Sequence, residues 1–257
     1  MKFYDIEKVK NFIKTLPKYE LKDIYIDKVQ LSKKFKAVCY LDTNIPVAIV
    51  SNKYKLVQHP TVFEIFLERL EKHFDNIEGF VQHTKTKAFL FAVVKEKFVE
   101  GDSNYKLGFC VSNSVDTTLA IWTSLFNYRV ICSNGLVTPQ TIMKIYQKHI
   151  GGEDFYNELK RRFDIAIQQF DNYQEREFQV YDILKEKTLT EDQIKAVIAK
   201  LELPQKALRV ILTRIERVDS AFDLYQAITF YLSNYSRQNI ASTVEKLRKT
   251  RTILEKI

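Results

Sequence analysis

Cys132 follows Arg129 by three residues in the run Tyr128-Arg129-Val130-Ile131-Cys132-Ser133-Asn134-Gly135, where a β-type apolar stretch meets a polar turn. A strand of period two puts Tyr128, Val130 and Cys132 on one side and Arg129 and Ile131 on the other. It delivers Ser133-Asn134-Gly135 to a strand end, where sites tend to sit. A cation near a thiol lowers its pKa toward the reactive range, so this is the first place to look for a nucleophile. Such a nucleophile also needs a base, and no motif ties His59, His73, His83 or His149 to Cys132. A lone Cys in a strand ordinarily serves as a small buried hydrophobe. A cysteine-dependent enzyme is therefore the remote reading; the chain is expected not to be an enzyme, and no catalytic residue is assigned.

Metal and nucleotide chemistry find less support. The chain has 4 His and 3 Cys, and none of them share the two- to five-residue spacing of zinc sites. Acidic residues such as Asp42, Asp102 and Asp116 are scattered rather than convergent, and Gly101, Gly108 and Gly135 stand alone rather than in a phosphate-binding loop. The expectation is no metal and no cofactor.

The remaining pattern is basic and aromatic. Ser51-Asn52-Lys53-Tyr54-Lys55 follows a strand, Tyr128-Arg129 repeats the pairing, and Lys144, Tyr146 and Lys148 repeat it again on what reads as the next helix. Single-stranded nucleic acid is held in this way, with cations on phosphates and flat rings stacking bases. On this reading Lys53, Tyr54, Lys55, Arg129, Ser133, Asn134, Lys144 and Lys148 line a nucleic-acid site. Arg129 would pair with phosphate and Tyr54 would stack; Ser133 and Asn134 would bond the backbone or hold the turn. An excess of 40 Lys+Arg over 32 Asp+Glu gives a net charge of +8, which favours anionic partners. The plainer alternative is packing. With 14 Tyr and 18 Phe in the chain, Lys-Tyr neighbours arise by chance, and a strand tyrosine usually packs with its hydroxyl at the surface. The cluster Lys246, Arg248, Lys249 and Arg251 has the same two readings, phosphate-facing edge or solvated helix face.

These residues need elements to position them. The 257 residues are 46% hydrophobic and 28% charged, with only 6 Gly, which describes a globular chain able to bury a full core. Three widely spaced cysteines in strand-like runs point to a reducing compartment, and Met1 to Lys8 lacks the apolar core of a signal sequence. No apolar run approaches the ~20 residues of a bilayer span, so a cytoplasmic protein that does not enter the membrane is expected. Strands are expected at Ile24 to Leu31, Phe35 to Leu41, Pro46 to Val50, Gly79 to His83, Ala88 to Val99 and Tyr105 to Val111. A further strand tract, Leu119 to Cys132, breaks into a hairpin near Phe126-Asn127. A helix carries Phe63, Phe66, Leu67, Leu70 and Phe74. After Thr138-Pro139 helical spacing takes over: a helix from near Gln140, a long one from Glu153-Asp154 to about Lys187, and one behind the capping box Thr190-Glu191-Asp192-Gln193. Three more follow: one after Pro204, one through Phe222 to Leu232, and one with Ile240, Val244, Leu247 and Leu254 in a stripe. The fold class is α+β: an N-terminal, mostly antiparallel sheet with inserted helices, followed by an all-helical C-terminal half. The expected division is an α+β sheet domain over 1-137 and a helical region packed on it over 138-257.

Four segments resemble one family. Arg129-Val130-Ile131-Cys132-Ser133-Asn134-Gly135 resembles the R-V-x-C-S-N-G/T signature of the phage/plasmid-like proteins grouped as domain-of-unknown-function family 932. Ser51 to Val57 is similar to its S-x-x-Y-x-x-V turn, and Val111-Ser112-Asn113-Ser114 with Asp116 to its S-N-S-x-D-G element. Asp223-Leu224-Tyr225-Gln226-Ala227-Ile228-Thr229 is similar to its D-L-Y-N-A-x-T helix. The chain departs from these patterns at Thr117, where glycine is usual, and at Gln226, where asparagine is usual. A more distant similarity to the single-strand annealing proteins of phage recombination systems implies a basic groove, a single-stranded DNA partner and assembly into a homo-oligomer. The leading expectation is thus a single-stranded DNA-binding protein of phage or plasmid type, with strand annealing in recombination as what the more distant similarity adds to it. The alternative is a structural or protein-interaction module, in which Arg129, Asn134 and Gly135 fix the junction between two halves.

Overall fold

The computed structural model describes residues 3–26, 29–30, 33–98, 105–129, 136–138, 144–214, 220–235 and 240–257. The architecture is α+β. A short strand β1 (Tyr4–Asp5) leads into helix α1 (Ile6–Lys14), followed by β2 (Tyr19–Asp23), the two-stranded hairpin β3 (Tyr25–Ile26) and β4 (Val29–Gln30), then β5 (Phe35–Tyr40) and β6 (Pro46–Ser51). Helix α2 (His59–Leu70) precedes a run of long strands: β7 (Ile77–His83), β8 (Lys87–Phe98), β9 (Tyr105–Ser114) and β10 (Ile121–Arg129). Two short strands, β11 (Leu136–Thr138) and β12 (Lys144–Gln147), close the β part. Six helices follow: α3 (Phe155–Gln168), α4 (Phe170–Glu186), α5 (Glu191–Lys200), α6 (Gln205–Arg214), α7 (Ala221–Asn234) and α8 (Ile240–Lys256).

The main sheet is antiparallel with order β1-β7-β8-β9-β10-β11, and β12 pairs with β10 beside β11. Strand alternation sorts its side chains. Leu90, Ala92 and Val94 of β8 and Leu107, Phe109 and Val111 of β9 face Val9 and Ile13 of α1, Phe63, Phe66 and Leu70 of α2, and Leu159 and Phe163 of α3. Phe80, Phe91, Val93 and Cys110 occupy the other face with Phe3, Phe89 and Trp122. At Gly79 a Cβ would stand 2.7 Å from the Phe91 carbonyl oxygen, so the approach of β7 to β8 there admits no side chain. A second sheet, β2-β5-β6, packs its inner face around Tyr19, Val38, Val50, Tyr54 and Val115.

The helical part has its own core, drawn from Leu184, Val197, Ile198, Ile211, Leu224, Ile228, Leu247 and Leu254. Helix α4 joins the two cores: Phe170 at its start is buried among the sheet-side residues and Tyr181 and Leu184 near its end among the helical ones.

Several expectations change. The long helix from Glu153 is two helices, α3 ending at Gln168 and α4 beginning at Phe170, with Gln169 as the C-cap of the first and the N-cap of the second. The strand expected to break near Phe126-Asn127 runs unbroken through Arg129, because Trp122 to Arg129 pair continuously with β9. Lys144 to Gln147, expected in a helix, form β12 instead. The three-residue β11 covers only the far part of the β10 edge, and Ile121 to Ser124 take Lys144 to Gln147 as partners on the rest. Helix α1 and strand β2 carried no expectation at all.

Candidate functional site

The loop after β6 holds the first predicted segment, and its residues part company. Tyr54 is 7% exposed; its hydroxyl donates to the Ser114 carbonyl oxygen at 3.1 Å and its ring stacks on His149 with centroids 5.1 Å apart. Burial, and after it the nearby Asp116 charge, push the phenol pKa up, so Tyr54 is a neutral packing residue. The expected base-stacking role fails for this conformation, because the ring is withdrawn from the surface. Lys55 is also engaged. Its Nζ donates to the Gly152 carbonyl oxygen at 3.0 Å and lies 4.9 Å and 5.0 Å from the ring centroids of Phe155 and Tyr156, at the start of α3. Its backbone N–H donates to the His149 carbonyl oxygen at 2.8 Å.

Behind Tyr54 lies a buried polar junction that sequence reasoning did not find. His59, at the start of α2, and Asn113, near the end of β9, are both fully buried, and His149 follows β12. The Asn113 Nδ2 donates to the Val57 carbonyl oxygen at 2.9 Å, which fixes the amide orientation, since the opposite one would set two oxygens against each other. The same Nδ2 lies 3.0 Å from the His59 Nδ1, which must therefore accept, leaving the proton on Nε2. His149 is the reverse: its Nδ1 faces the Lys55 carbonyl oxygen at 3.2 Å and must donate, leaving Nε2 bare. The His59 Nε2, the Asn113 Oδ1 and the His149 Nε2 are buried with no hydrogen-bond partner among the described residues.

Electrostatics agree with neutral rings. Burial, then the neighbouring His83 and His149, lower the His59 pKa to about 4 against an opposing pull from Asp116; burial lowers His149 as well. Asp116 anchors the rim. Burial alone would raise its carboxyl, but hydrogen bonds from Thr118, Thr86 and Ser114 together bring it below its ordinary value, the Thr86 hydroxyl donating at 2.6 Å. Tyr19 packs edge-on to His59 and donates its hydroxyl to the Lys85 carbonyl oxygen at 2.6 Å. The junction contains no thiol, and no group of three His, Cys, Asp or Glu able to hold a metal occurs among the described residues. Cys39 and Cys110 are buried in strands. A buried tyrosine hydroxyl bonded to a carbonyl and two neutral imidazoles fix loops; among themselves they form no nucleophile and base pair.

What the surface does bring together is different. The Asn52 backbone N–H donates to the Lys34 carbonyl oxygen at 2.8 Å, and its side-chain Nδ2 to the Lys33 carbonyl oxygen at 3.1 Å. This joins the turn after β6 to the turn before β5, so exposed Lys33, Lys34 and Lys53 share one end of the small sheet with Phe35, which is 49% exposed. Tyr25, on the separate two-stranded sheet β3-β4 that follows β2 in the chain, is 58% exposed. A nearest-neighbour motif search misses this cluster because Lys33 and Lys53 are adjacent only through pairing of β5 with β6.

The other predicted residues are placed as follows. Arg129 ends β10 opposite Leu136. Ser133 and Asn134, with Cys132, lie outside the described residues. Lys144 begins β12, Lys148 is exposed just beyond it, and neither adjoins Lys53 through any pairing of these strands. The segments of family resemblance meet in pairs instead. The Ser51 to Val57 segment is bonded to the Ser112 to Asp116 segment through Tyr54 with Ser114 and Asn113 with Val57. Helix α7, which carries Asp223 to Thr229, packs against β11, the strand that pairs with Arg129.

These welded segments define a family fold before they define an activity. The chain belongs to the family described as Domain of unknown function (DUF932), whose model matches residues 46–253. No curated protein and no solved structure matches the chain. No helix among the described residues is long and apolar enough to cross a membrane.

Proposed function

We propose that the chain binds single-stranded nucleic acid at the end of the small sheet, through Lys33, Lys34 and Lys53 as phosphate partners and Phe35 and Tyr25 as exposed rings. The observation that carries this reading is the pair of Asn52 hydrogen bonds that gathers three lysines from two separate turns beside an exposed aromatic ring. Cations alternating with accessible rings hold a strand without reading its sequence, and a net charge of +8 favours the encounter. A second candidate set is Arg129, Ser133 and Asn134, supported by the family resemblance, with Lys144 and Lys148, supported by their pairing with Tyr146 in the sequence. Strand annealing in phage or plasmid recombination, within a cytoplasm, would be the use of such binding.

The test is fluorescence anisotropy with labelled single-stranded and duplex oligonucleotides at two salt concentrations. Preferential binding to the single strand that weakens with salt supports the reading, and Lys33→Ala with Lys53→Ala should lower the salt slope by about 0.7 for each phosphate no longer neutralised. Absence of binding at low salt overturns it. The second reading, a structural or protein-interaction module, is favoured by the bonding between Tyr54 and Ser114 and between Asn113 and Val57, which places family-like residues in support of the fold.

A further inference from the structure

The two edges of the small sheet are finished differently. Along β2 the edge carries Glu20, Lys22 and Asp23, and at Tyr19 the Gln58 carboxamide closes it, accepting from the Tyr19 N–H at 3.0 Å and donating to the Tyr19 carbonyl oxygen at 2.8 Å. Charges and a covered backbone are how natural edges resist pairing with other chains. Strand β6, Pro46-Val47-Ala48-Ile49-Val50-Ser51, has neither: it carries no charge, and among the described residues no strand pairs with its outer side. Only Pro46, which lacks an N–H, blunts its first position. Ile49 is 66% exposed and shares a face with Ala37 and Phe35 through the register of β5 with β6.

We propose that β6 pairs antiparallel with the β6 of a second copy of this chain, about a two-fold axis normal to the sheet, so that two three-stranded sheets become one of six. The charges at the strand ends select this occupant and this direction. Exposed Asp42 lies in the turn before β6, and exposed Lys53 follows it. Antiparallel pairing sets Asp42 of each copy beside the Lys53 end of the other, twice by symmetry, whereas parallel pairing would set like charges together. Lys22 reaches the Asp42 turn through the Asn44 side chain, but Glu20 holds its ammonium at 3.0 Å; Lys18, whose carbonyl accepts from the Leu41 N–H, lies on the β2 side. The same axis brings the two Ile49 side chains into reach of one another on one face of the joined sheet, and sets the two Lys33 to Phe35 turns at its opposite ends. A six-residue edge is a small interface, so the pair forms and separates with concentration.

Sedimentation velocity of the full chain over a wide concentration range, without nucleic acid, tests this independently of any nucleic-acid binding. A reversible monomer–dimer equilibrium is expected. Ile49→Lys, at an exposed position, should weaken it by at least about tenfold with an unchanged circular dichroism spectrum. Asp42→Lys and Lys53→Asp should each weaken it, and the double variant should restore it. A chain that stays monomeric at every concentration overturns the proposal. So does a dimer indifferent to Ile49→Lys, or one that the charge exchange fails to restore.

Discussion

Lys53 and Lys55 stand two residues apart and belong to different parts of the molecule. Lys53 is exposed at the tip of the turn, in the group that Asn52 ties to Lys33 and Lys34. Lys55 is laid against Phe155 and Tyr156 and tethered to Gly152, on the side of the loop where Tyr54 enters the core. The loop therefore has an inner face that fastens the small sheet to the main sheet and an outer face available to a partner. The difference is set by what each side chain meets, and identical residue types on the two faces should answer mutation in opposite ways.

The largest effect belongs to the inner face. Tyr54→Ala removes a ring packed on His149 and the hydroxyl bonded to Ser114, and urea denaturation should record a loss of about 3–5 kcal/mol. Tyr54→Phe keeps the ring, so its loss should be about 1 kcal/mol. Equal losses for the two would show that the hydroxyl, rather than packing, fastens the junction.

Acid should open the same face. The His59 pKa is near 4 in the folded chain against an ordinary value of 6.5, so the unfolded chain takes up the proton first. Its contribution is fully present above about pH 6.5 and is lost as pH falls toward 4, amounting to about 3 kcal/mol from a shift of about 2.5 units at 1.36 kcal/mol each. His149 is lowered too and acts in the same direction, and Asp116, held below its usual value, extends the loss at lower pH. Urea midpoints from pH 7 down to pH 4 should fall accordingly, with His59→Gln flattening the curve. A flat profile in the unaltered protein would mean that the imidazole is hydrated in solution.

Asn113 is the hinge of that arrangement. Asn113→Ala strands the Val57 carbonyl and the His59 Nδ1, for a loss of about 1–3 kcal/mol. Asn113→Asp sets a negative acceptor against His59 and should raise the imidazole pKa back toward its ordinary value, shrinking the share of the acid loss that His59 contributes between about pH 6.5 and 4; imidazole NMR titration of both forms checks the sign.

How much of this could be read from the chain alone follows from where each signal resides. Local signals held. The Phe63, Phe66, Leu67 and Leu70 spacing marks α2, and Thr190 with Gln193 forms the capping box in front of α5. Elements defined by a distant partner did not declare themselves. The run from Lys144 to Gln147 has no strand signature strong enough to outweigh its neighbours, and becomes β12 because β11 leaves part of the β10 edge to it. Tyr54 looked solvent-facing because lysines flank it, yet in an irregular loop neighbouring residues can point in opposite directions, and only its meeting with Ser114 and His149 fixes which way it turns. His59, Asn113 and His149 come from distant parts of the chain, His59 and Asn113 being 54 residues apart, and no spacing rule connects them.

The smallest stability effects separate the two faces most cleanly. Lys55→Ala should cost about 1 kcal/mol through the lost ring packing and tether, while Lys53→Ala should leave the urea midpoint within about 0.5 kcal/mol of the parent, as exposed substitutions do. On single-stranded oligonucleotide the order should reverse, Lys53→Ala weakening anisotropy-measured binding with a shallower salt slope and Lys55→Ala leaving that slope unchanged. A ring-bound cation screened by Phe155 and Tyr156 has no phosphate to release ions from, so a changed slope in Lys55→Ala would mean that the tether to Gly152 opens when a strand binds. Matching responses from the two lysines would dissolve the distinction between the faces.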